Sequence, residues 1–254
     1  MLEYNKGKYA GKAERNRIMV IRTQYLERLR PFYDSELVKV ITGIRRCGKS
    51  TILRQVIAEI RENGVDDSQI VYINFEDYKY HKLTDADAFY EYIEQKIVDE
   101  GKYYLFFDEI QNVNKFELVV NSFRATHNVS IFITGSNSKL LSGELATHLS
   151  GRTVSLRVLP FNFMEFCQYK DISAPDYESL LTEYMTYGGL PLVCGADNKE
   201  TKEVILSNIY DAVVLKDIVM RNKINSPLVL EKVLDYVVGN SSLTVSGNAI
   251  AGTL

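Results

Sequence analysis

Residues 43–50 have the types and spacing of a phosphate-binding loop. They read Gly-Ile-Arg-Arg-Cys-Gly-Lys-Ser and fit the pattern G-x-x-x-x-G-K-[ST]. The glycines permit a tight turn in which backbone N–H groups point inward at phosphate oxygens. Lys49 is long enough to reach the β- and γ-phosphates, and the Ser50 hydroxyl is suited to bind Mg²⁺. The pattern therefore predicts a nucleoside triphosphate site.

The residues on either side of this loop predict the strand and helix that it should connect. Residues 37–42 form an apolar run typical of a buried strand, and residues 50–60 carry apolar side chains at helical spacing. The N-terminus of that helix adds its own attraction for anions. The residues expected to contact the nucleotide are Gly43, Ile44, Arg45, Arg46, Cys47, Gly48, Lys49, Ser50 and Thr51.

A pair of acids at the end of an apolar strand is the second candidate for chemistry. Residues 103–107 read Tyr-Tyr-Leu-Phe-Phe and are followed by Asp108 and Glu109. Ligands of open α/β sheets lie at the carboxyl ends of the strands. We expect Asp108 to hold Mg²⁺ together with Ser50, and Glu109 to act as the general base toward water. Either acid alone would be interpreted as a cap of the next helix, but beside the phosphate loop the pair indicates hydrolysis.

The next predicted strand covers residues 129–134, and it too is followed by polar residues. In ATPases that carry an Asp-Glu pair, this strand usually lies between the strands of the phosphate loop and the acids. Its terminal side chain then comes close to the γ-phosphate, so we expect Ser136 or Asn137 to orient water and report hydrolysis. The sequence does not decide between the two, and the alternative role for Asn137 is to cap the following helix.

Arg152 precedes the last predicted strand and is a candidate arginine finger. A cation at this position could neutralise transition-state charge on the nucleotide of a neighbouring subunit, which would imply a homo-oligomer. Arg157 and Arg124 are weaker candidates for the same role. The alternative is that Arg152 is an ordinary surface arginine.

The order of predicted elements indicates an α/β fold. Strands alternate with helices up to residue 158, which implies βαβ units and a parallel sheet with right-handed crossovers. We therefore expect a P-loop NTPase three-layer sandwich with a parallel five-stranded core sheet. From Pro160 onward only helices are predicted, at residues 161–169, 176–187, 199–221 and 228–238. These would form an all-helical lid over the core.

Composition limits the function classes. The chain has 254 residues and a formal net charge of −3, so no global basic field demands nucleic acid. Its cysteines and histidines lack metal-ligand spacing, and no apolar run has transmembrane or signal-peptide character, so we expect a cytoplasmic protein without membrane contact.

The first 35 residues are locally basic, either as a flexible arm or as a contact for DNA or a neighbouring subunit. The basic residues there are Lys6, Lys8, Lys12, Arg15, Arg17, Arg22, Arg28 and Arg30.

Several further motifs follow the phosphate loop in a fixed order. They are Ile-Asn-Phe-Glu-Asp at 73–77, Phe-Asp-Glu-Ile-Gln at 107–111, Ile-Thr-Gly-Ser-Asn-Ser at 133–138, Leu-Ser-Gly-Arg at 149–152, Pro-Phe at 160–161, Glu-Phe at 165–166 and Tyr-Gly-Gly-Leu-Pro at 187–191. This series resembles prokaryotic AAA-type ATPases of AAA domain family 14, which are usually joined to a DUF4143 C-terminal region. The resemblance runs from about Glu14 to the end of the chain.

The resemblance implies an ATPase core of the Asp-Glu class, then a winged-helix-like segment and a further C-terminal domain. We expect a basic N-terminal helical arm at residues 1–35, the P-loop ATPase core at 36–160 and the helical lid at 161–225. Residues 226–254 would be the start of a truncated, winged-helix-like C-terminal region. DNA or a protein partner would then be linked through the part of the longer protein that is missing.

ATP is favoured over GTP because the sequence lacks the N-K-x-D motif that GTP specificity requires. Residues 114–117 come nearest to this motif, but they end in glutamate instead of aspartate. We expect an ATP-hydrolysing, nucleotide-driven conformational switch that acts on DNA or a partner. The alternative is a nucleotide-dependent binding or assembly module with little turnover. A small-molecule kinase is the third class, and the Asp-Glu pair argues against it because kinases need water excluded rather than activated.

Overall fold

A computed structural model describes residues 19–135, 149–171, 176–219 and 226–253. Its centre is a parallel five-stranded sheet, in the order β2-β3-β4-β1-β5. The strands are β1 (Val38–Gly43), β2 (Ile70–Asn74), β3 (Tyr103–Asp108), β4 (Val129–Gly135) and β5 (Thr153–Val158). The predicted parallel α/β sheet is confirmed, and β4 lies between β1 and β3 as expected.

Both faces of the sheet are covered, because alternate residues of each strand point to opposite sides. On one face, Val40 and Phe107 pack in a hydrophobic core with the helices that follow β2 and β3. On the other face, Ile41 and Phe106 pack in a second core with the first two helices. These helices are α1 (Thr23–Leu29), α2 (Lys49–Glu62), α3 (Ala86–Glu94) and α4 (Phe116–Thr126). Short 3₁₀ turns lie at Arg30–Phe32, Asp67–Gln69, Tyr78–Thr84 and Ile110–Asn112. The sheet is therefore a buried middle layer, which explains why its central strands are almost wholly apolar.

Helices follow the sheet, as the sequence predicts. They are α5 (Phe163–Lys170), α6 (Tyr177–Tyr187) and α7 (Pro191–Cys194). The helix α5 begins with a capping box in which the side chain of Asn162 accepts from the Glu165 N–H and the Glu165 carboxylate accepts from the Asn162 N–H. Phe161 and Phe166 pack in a small core of their own with Val20.

The chain divides into two compact units, residues 1–197 and residues 198–254. The second unit holds α8 (Lys199–Asp211), a π-helix (Ala212–Val219), α9 (Pro227–Gly239) and α10 (Gly247–Thr253). The long helix predicted at 199–221 thus changes to π-helical geometry part-way along. The four segments expected from the sequence, with boundaries at 35, 160 and 225, stay predictions. The helix that Asn137 was expected to cap as its alternative role lies almost wholly outside the described residues.

Within the part of the chain that the structure describes, none of the helices has the length and apolar character needed to cross a membrane.

Candidate active site

The predicted phosphate loop joins the end of β1 to the start of α2, where the sheet presents its carboxyl edge. Gly48 has φ of 102° and Arg46 has φ of 64°, so the loop turns through left-handed backbone geometry twice. Gly43 is required for space, because a Cβ there would lie 2.4 Å from the carbonyl oxygen of Val158 and 2.7 Å from Cys47 Sγ. Glycine is therefore required at the two fixed positions of the motif for different reasons: the backbone conformation at Gly48 and the lack of space at Gly43.

The side chains between those glycines point in different directions. Ile44 and Arg46 are exposed, whereas the Cys47 side chain is fully buried beneath the loop. Burial raises the pKa of the Cys47 thiol, which keeps it protonated at neutral pH. Cys47 can therefore face a ligand only through its backbone. Ser50 and Thr51 lie half-buried in the first turn of α2.

Lys49 places its ammonium group inside the curve of the loop. Its Nζ donates to the carbonyl oxygens of Gly43 and Ile44, both at 3.3 Å. The same atom lies 3.3 Å from Glu109 Oε1, and the Lys49 side chain is only 4% exposed. The structure thus brings together the two residues that the sequence assigned to phosphate binding and to water activation.

Asp108 is fully buried at the end of β3, and two hydroxyl groups orient its carboxylate. Thr134 Oγ1 donates to Oδ1 at 2.5 Å, and Tyr72 Oη donates to Oδ2 at 3.0 Å. Burial and the nearby Asp108 charge raise the pKa of the Tyr72 hydroxyl, so Tyr72 remains a donor. The carboxylate is therefore held in one orientation at the carboxyl edge.

Glu109 leaves the strand in a left-handed conformation, with φ of 55°. Its backbone N–H donates to Thr134 Oγ1 at 2.9 Å, and its Oε2 accepts from Gln111 Nε2 at 2.5 Å. Left-handed geometry is uncommon for a residue with a side chain and is concentrated at functional sites. The turn directs the Glu109 carboxylate toward Lys49 rather than along the strand.

Three residues that support the acids were not singled out by the sequence analysis. Thr134 stands within a motif used for the resemblance, but its hydroxyl bridges Asp108 and the Glu109 backbone only because β3 and β4 are neighbours. Tyr72 reaches Asp108 from β2 because Asn74 is paired with Asp108 in the parallel register. Gln111 contacts Glu109 from the adjoining turn, and its place two residues after the acid was the available signal.

The predicted water-orienting residues, Ser136 and Asn137, lie outside the described residues. Thr134 and Gly135, which precede them, end β4 at the same edge as the phosphate loop. Their role at the γ-phosphate stays a prediction.

Arg152 lies at the opposite, amino edge of the sheet. Its carbonyl oxygen accepts from the N–H of Val38 at 2.9 Å, and its guanidinium donates to Asn121 Oδ1 at 3.1 Å. A strand of this length spans about 20 Å, so Arg152 is too far away to serve the loop of its own chain. The trans role predicted for it stays a prediction. Of the weaker candidates, Arg124 pairs with Glu36 at 3.8 Å.

The sequence model of a known family matches the part of the chain that forms this site. It is the AAA_14 family, described as an AAA domain, and the match covers residues 35–167, just over half of the chain. This chain belongs to the AAA_14 family. The match includes the phosphate loop, both acids and the strand that ends in Thr134, so the family assignment and the site geometry concern the same residues. It does not include the region where a DUF4143 domain was expected.

Two curated relatives extend the similarity beyond the family match. An uncharacterized protein of Haemophilus influenzae is 39% identical over 242 residues, which are 94% of this chain and 60% of the relative. Uncharacterized protein MJ1544 of Methanocaldococcus jannaschii is 35% identical over 198 residues, 74% of this chain and 43% of the relative. The chain thus spans between two fifths and about three fifths of the length of these relatives.

Solved structures share the fold at low identity. The Walker-type ATPase PABY2304 of Pyrococcus abyssi has a TM-score of 0.53 at 14% identity, covering 84% of this chain and 78% of that chain. The Aeropyrum pernix ORC1 protein, solved in complex with DNA, has a TM-score of 0.50 at 14% identity, with coverages of 92% and 82%. At such identities these likenesses concern the fold alone, and they agree with the P-loop NTPase architecture.

Proposed function

We propose that the chain binds ATP with Mg²⁺ and hydrolyses it. The observation that carries this proposal is the convergence of three groups at one edge of the sheet. The Lys49 ammonium lies 3.3 Å from the Glu109 carboxylate, and Thr134 joins the Glu109 backbone to the buried carboxylate of Asp108. A cation for phosphate, an oxygen ligand for a metal and a base for water thus share one small region.

The phosphate groups would be held by the loop and by Lys49. Its ammonium now contacts loop carbonyls and Glu109, and phosphate oxygens carry more charge with which to bind it. The N–H groups at the start of α2 add the favourable end of a helix dipole. ATP rather than GTP is proposed because the guanine-reading motif is absent from the sequence.

The residues present fit a Mg²⁺ ion. Asp108 offers a buried carboxylate whose orientation is fixed by two hydroxyl donors, and Ser50 offers a hydroxyl at the first turn of α2. Mg²⁺ prefers such oxygen ligands in small number, together with phosphate oxygens and water. When bound, the ion would neutralise part of the charge on the β- and γ-phosphates.

Glu109 would act as the general base. Its carboxylate accepts a proton from water while the water oxygen bonds to the γ-phosphorus, and the bond to the β,γ-bridging oxygen breaks to release ADP. Ser136 or Asn137 would orient that water, and Arg152 of a neighbouring copy would stabilise the developing charge. Hydrolysis would change the conformation of the helical segments after residue 160 and so act on DNA or a partner protein.

Phosphate release from ATP in the presence of Mg²⁺ tests this proposal. Glu109→Gln is expected to lower turnover about 100- to 10,000-fold, since it removes the base and keeps the shape of the side chain. Glu91→Gln, at an exposed position on α3, is the matched control and should leave turnover unchanged. Equal turnover in wild type and Glu109→Gln would contradict the hydrolytic mechanism. Tight ATP binding with negligible wild-type turnover would instead favour the assembly module.

A further inference from the structure

Arg22 is a buried cation that touches the phosphate loop from behind. It lies just before α1 and is 1% exposed. Its Nη1 donates to the carbonyl oxygen of Cys47 at 3.3 Å, and its Nη2 donates to the carbonyl oxygens of Leu159 and Pro160 at 3.0 and 3.4 Å. Its Nε donates to Glu165 Oε1 at 2.6 Å. One guanidinium therefore joins the loop to the chain that follows β5 and to α5.

The surroundings of this guanidinium match its charge and shape. Glu165 supplies the opposite charge, and its own side chain is 9% exposed. The rings of Tyr25 and Phe161 lie 4.6 and 5.2 Å from the guanidinium carbon, within cation–π distance. A buried charge destabilises a protein unless it is paired and hydrogen-bonded. Arg22 satisfies both conditions, so this is a built contact rather than an incidental one.

The backbone on either side of Arg22 is fixed to α2 as well. The N–H of Arg22 donates to Gln55 Oε1 at 3.1 Å, and Gln55 Nε2 donates to the carbonyl oxygen of Val20 at 2.8 Å. Gln55 belongs to the helix that the phosphate loop introduces. The backbone at Arg22 is therefore tied to the same helix whose first turn would face the phosphates of a bound nucleotide.

The contact with Cys47 determines how one peptide unit of the loop is oriented. The carbonyl of Cys47 and the N–H of Gly48 belong to the same planar peptide and point in opposite directions. A peptide whose N–H faces a phosphate turns its carbonyl group away from that phosphate, and the carbonyl needs a donor where it is buried. Arg22 is such a donor for Cys47. Holding that carbonyl outward keeps the N–H of Gly48 directed into the loop.

We propose that Arg22 is a positioning residue that keeps the phosphate loop in its binding conformation, and that Glu165 holds Arg22 in place. This inference rests on the proposed function, because it assigns a role in ATP binding. The hydrogen bonds that carry it join residues 25, 137 and 143 positions apart in the chain. It also makes the segment before the sheet and the segment after it parts of the nucleotide site.

The test compares KM and kcat for ATP hydrolysis in the full chain. Arg22→Lys keeps the charge but lacks the planar fork that reaches several acceptors at once. We expect KM for ATP to rise about tenfold, the effect of losing one hydrogen bond from a charged donor, with kcat changed much less. ATP binding followed by calorimetry with Mg²⁺ should show the same loss. An unchanged KM and affinity in Arg22→Lys would overturn the inference and leave the proposed function intact.

Two further variants separate positioning from folding. Phe166 is a buried residue of the small core beside Arg22, and its apolar side chain offers no hydrogen bond to the loop. Phe166→Leu should therefore disturb packing and leave KM for ATP unchanged. If Phe166→Leu raised KM as much as Arg22→Lys, the effect would be one of stability and the inference would be wrong. Glu165→Gln removes the charge partner and keeps Arg22. It should raise KM in the same direction, so an unchanged KM there would overturn the inference even if Arg22→Lys failed to fold.

The wild type separates this inference from the function on which it rests. A wild-type chain that neither binds nor hydrolyses ATP would contradict the proposed function itself, and the role of Arg22 in ATP binding would fall with it. If the wild-type chain binds and hydrolyses ATP and the Arg22→Lys variant has the same KM and affinity for ATP, only the role of Arg22 is contradicted.

Discussion

The two edges of the central sheet each hold a buried lysine, in opposite chemical settings. At the carboxyl edge, the Lys49 ammonium faces an acid and a loop made of strained backbone. At the amino edge, the Lys39 ammonium donates to the carbonyl oxygen of Ser35 at 3.0 Å and to Ser130 Oγ at 2.7 Å, and it lies 4.5 Å from the centre of the Phe132 ring. Ser130 in turn donates to the carbonyl oxygen of Tyr33.

The neighbours of each lysine explain why one edge suits chemistry and the other suits stability. At the amino edge, polar side chains form closed pairs; Glu59, near the end of α2, accepts from Arg30 at 3.0 and 2.7 Å and from Tyr33 at 2.8 Å. Around Lys49, left-handed backbone turns the Glu109 carboxylate toward the ammonium, and hydroxyl donors fix the carboxylate of the preceding residue, Asp108. A charged group that is satisfied by its neighbours contributes to the fold, whereas groups held close together at some cost are available to a ligand.

The largest effect that tests this comparison is expected from Lys49→Met. The change removes the cation that we propose binds the phosphates, so ATP turnover should fall at least about a hundredfold. The fold should persist, as judged by circular dichroism, because the long apolar side chain still fills the space. Lys39→Met is the matched control at the other edge and should retain wild-type turnover. Similar losses in both variants would contradict the division between the edges.

Thr134→Val is expected to have the next largest effect. Valine keeps the shape but loses the hydroxyl that donates to Asp108 and accepts from the Glu109 N–H. Losing such a supporting group typically lowers activity about 10- to 100-fold, and more Mg²⁺ should be needed for half-maximal rate. The measurement is the Mg²⁺ dependence of phosphate release. Thr134→Ser keeps the hydroxyl and should behave like wild type; a normal rate in Thr134→Val would show that the bridge is unnecessary.

Lys39 should make stability depend on pH at the amino edge. Burial lowers the pKa of its ammonium to about 7, nearby Lys102 acts in the same direction, and Asp34 opposes them. Between that value and the ordinary pKa of about 10.4, the unfolded chain binds more protons than the folded one, so the free energy of unfolding rises with pH. Below pH 7 the full cost of burying the charge is present.

Urea unfolding of wild type and Lys39→Met at pH 7 and pH 9 measures this effect. The difference in free energy of unfolding between the two proteins should change by about 2 kcal/mol over this interval, in favour of wild type at pH 9. The control is Lys96→Met, at an exposed position, which should show no such change. Parallel pH dependence in wild type and Lys39→Met would mean that Lys39 is not the titrating group.

The sequence predicts the strands and the phosphate loop well because both are local patterns. Apolar runs marked β1, β3 and β4, and the loop's spacing marked the turn into α2. The contacts of Thr134 and Arg22 could not be predicted in this way, since each joins residues at least 25 positions apart. Arg22 in particular stands among basic residues and looks like part of a solvated arm, although it is buried.

Left-handed backbone at Glu109 is another feature that the sequence hides. Glutamate seldom adopts this conformation, and nothing in the residue types around it requires the turn. In this conformation the N–H of Glu109 donates to the hydroxyl of Thr134 on the neighbouring strand, a contact that no local pattern predicts. The presence of an acid at position 109 can be read from the sequence. The direction of the Glu109 side chain depends on which strand lies beside β3, and that is known only from the fold.

The most direct test of the central claim is the identity of the nucleotide that stays bound after mixing with ATP and Mg²⁺. Glu109→Gln should retain intact ATP at close to one molecule per chain, because the loop and Lys49 still bind it while the base is missing. Wild type should retain ADP. Conversion to ADP on Glu109→Gln at the wild-type rate, or no retained nucleotide on either protein, would contradict the account.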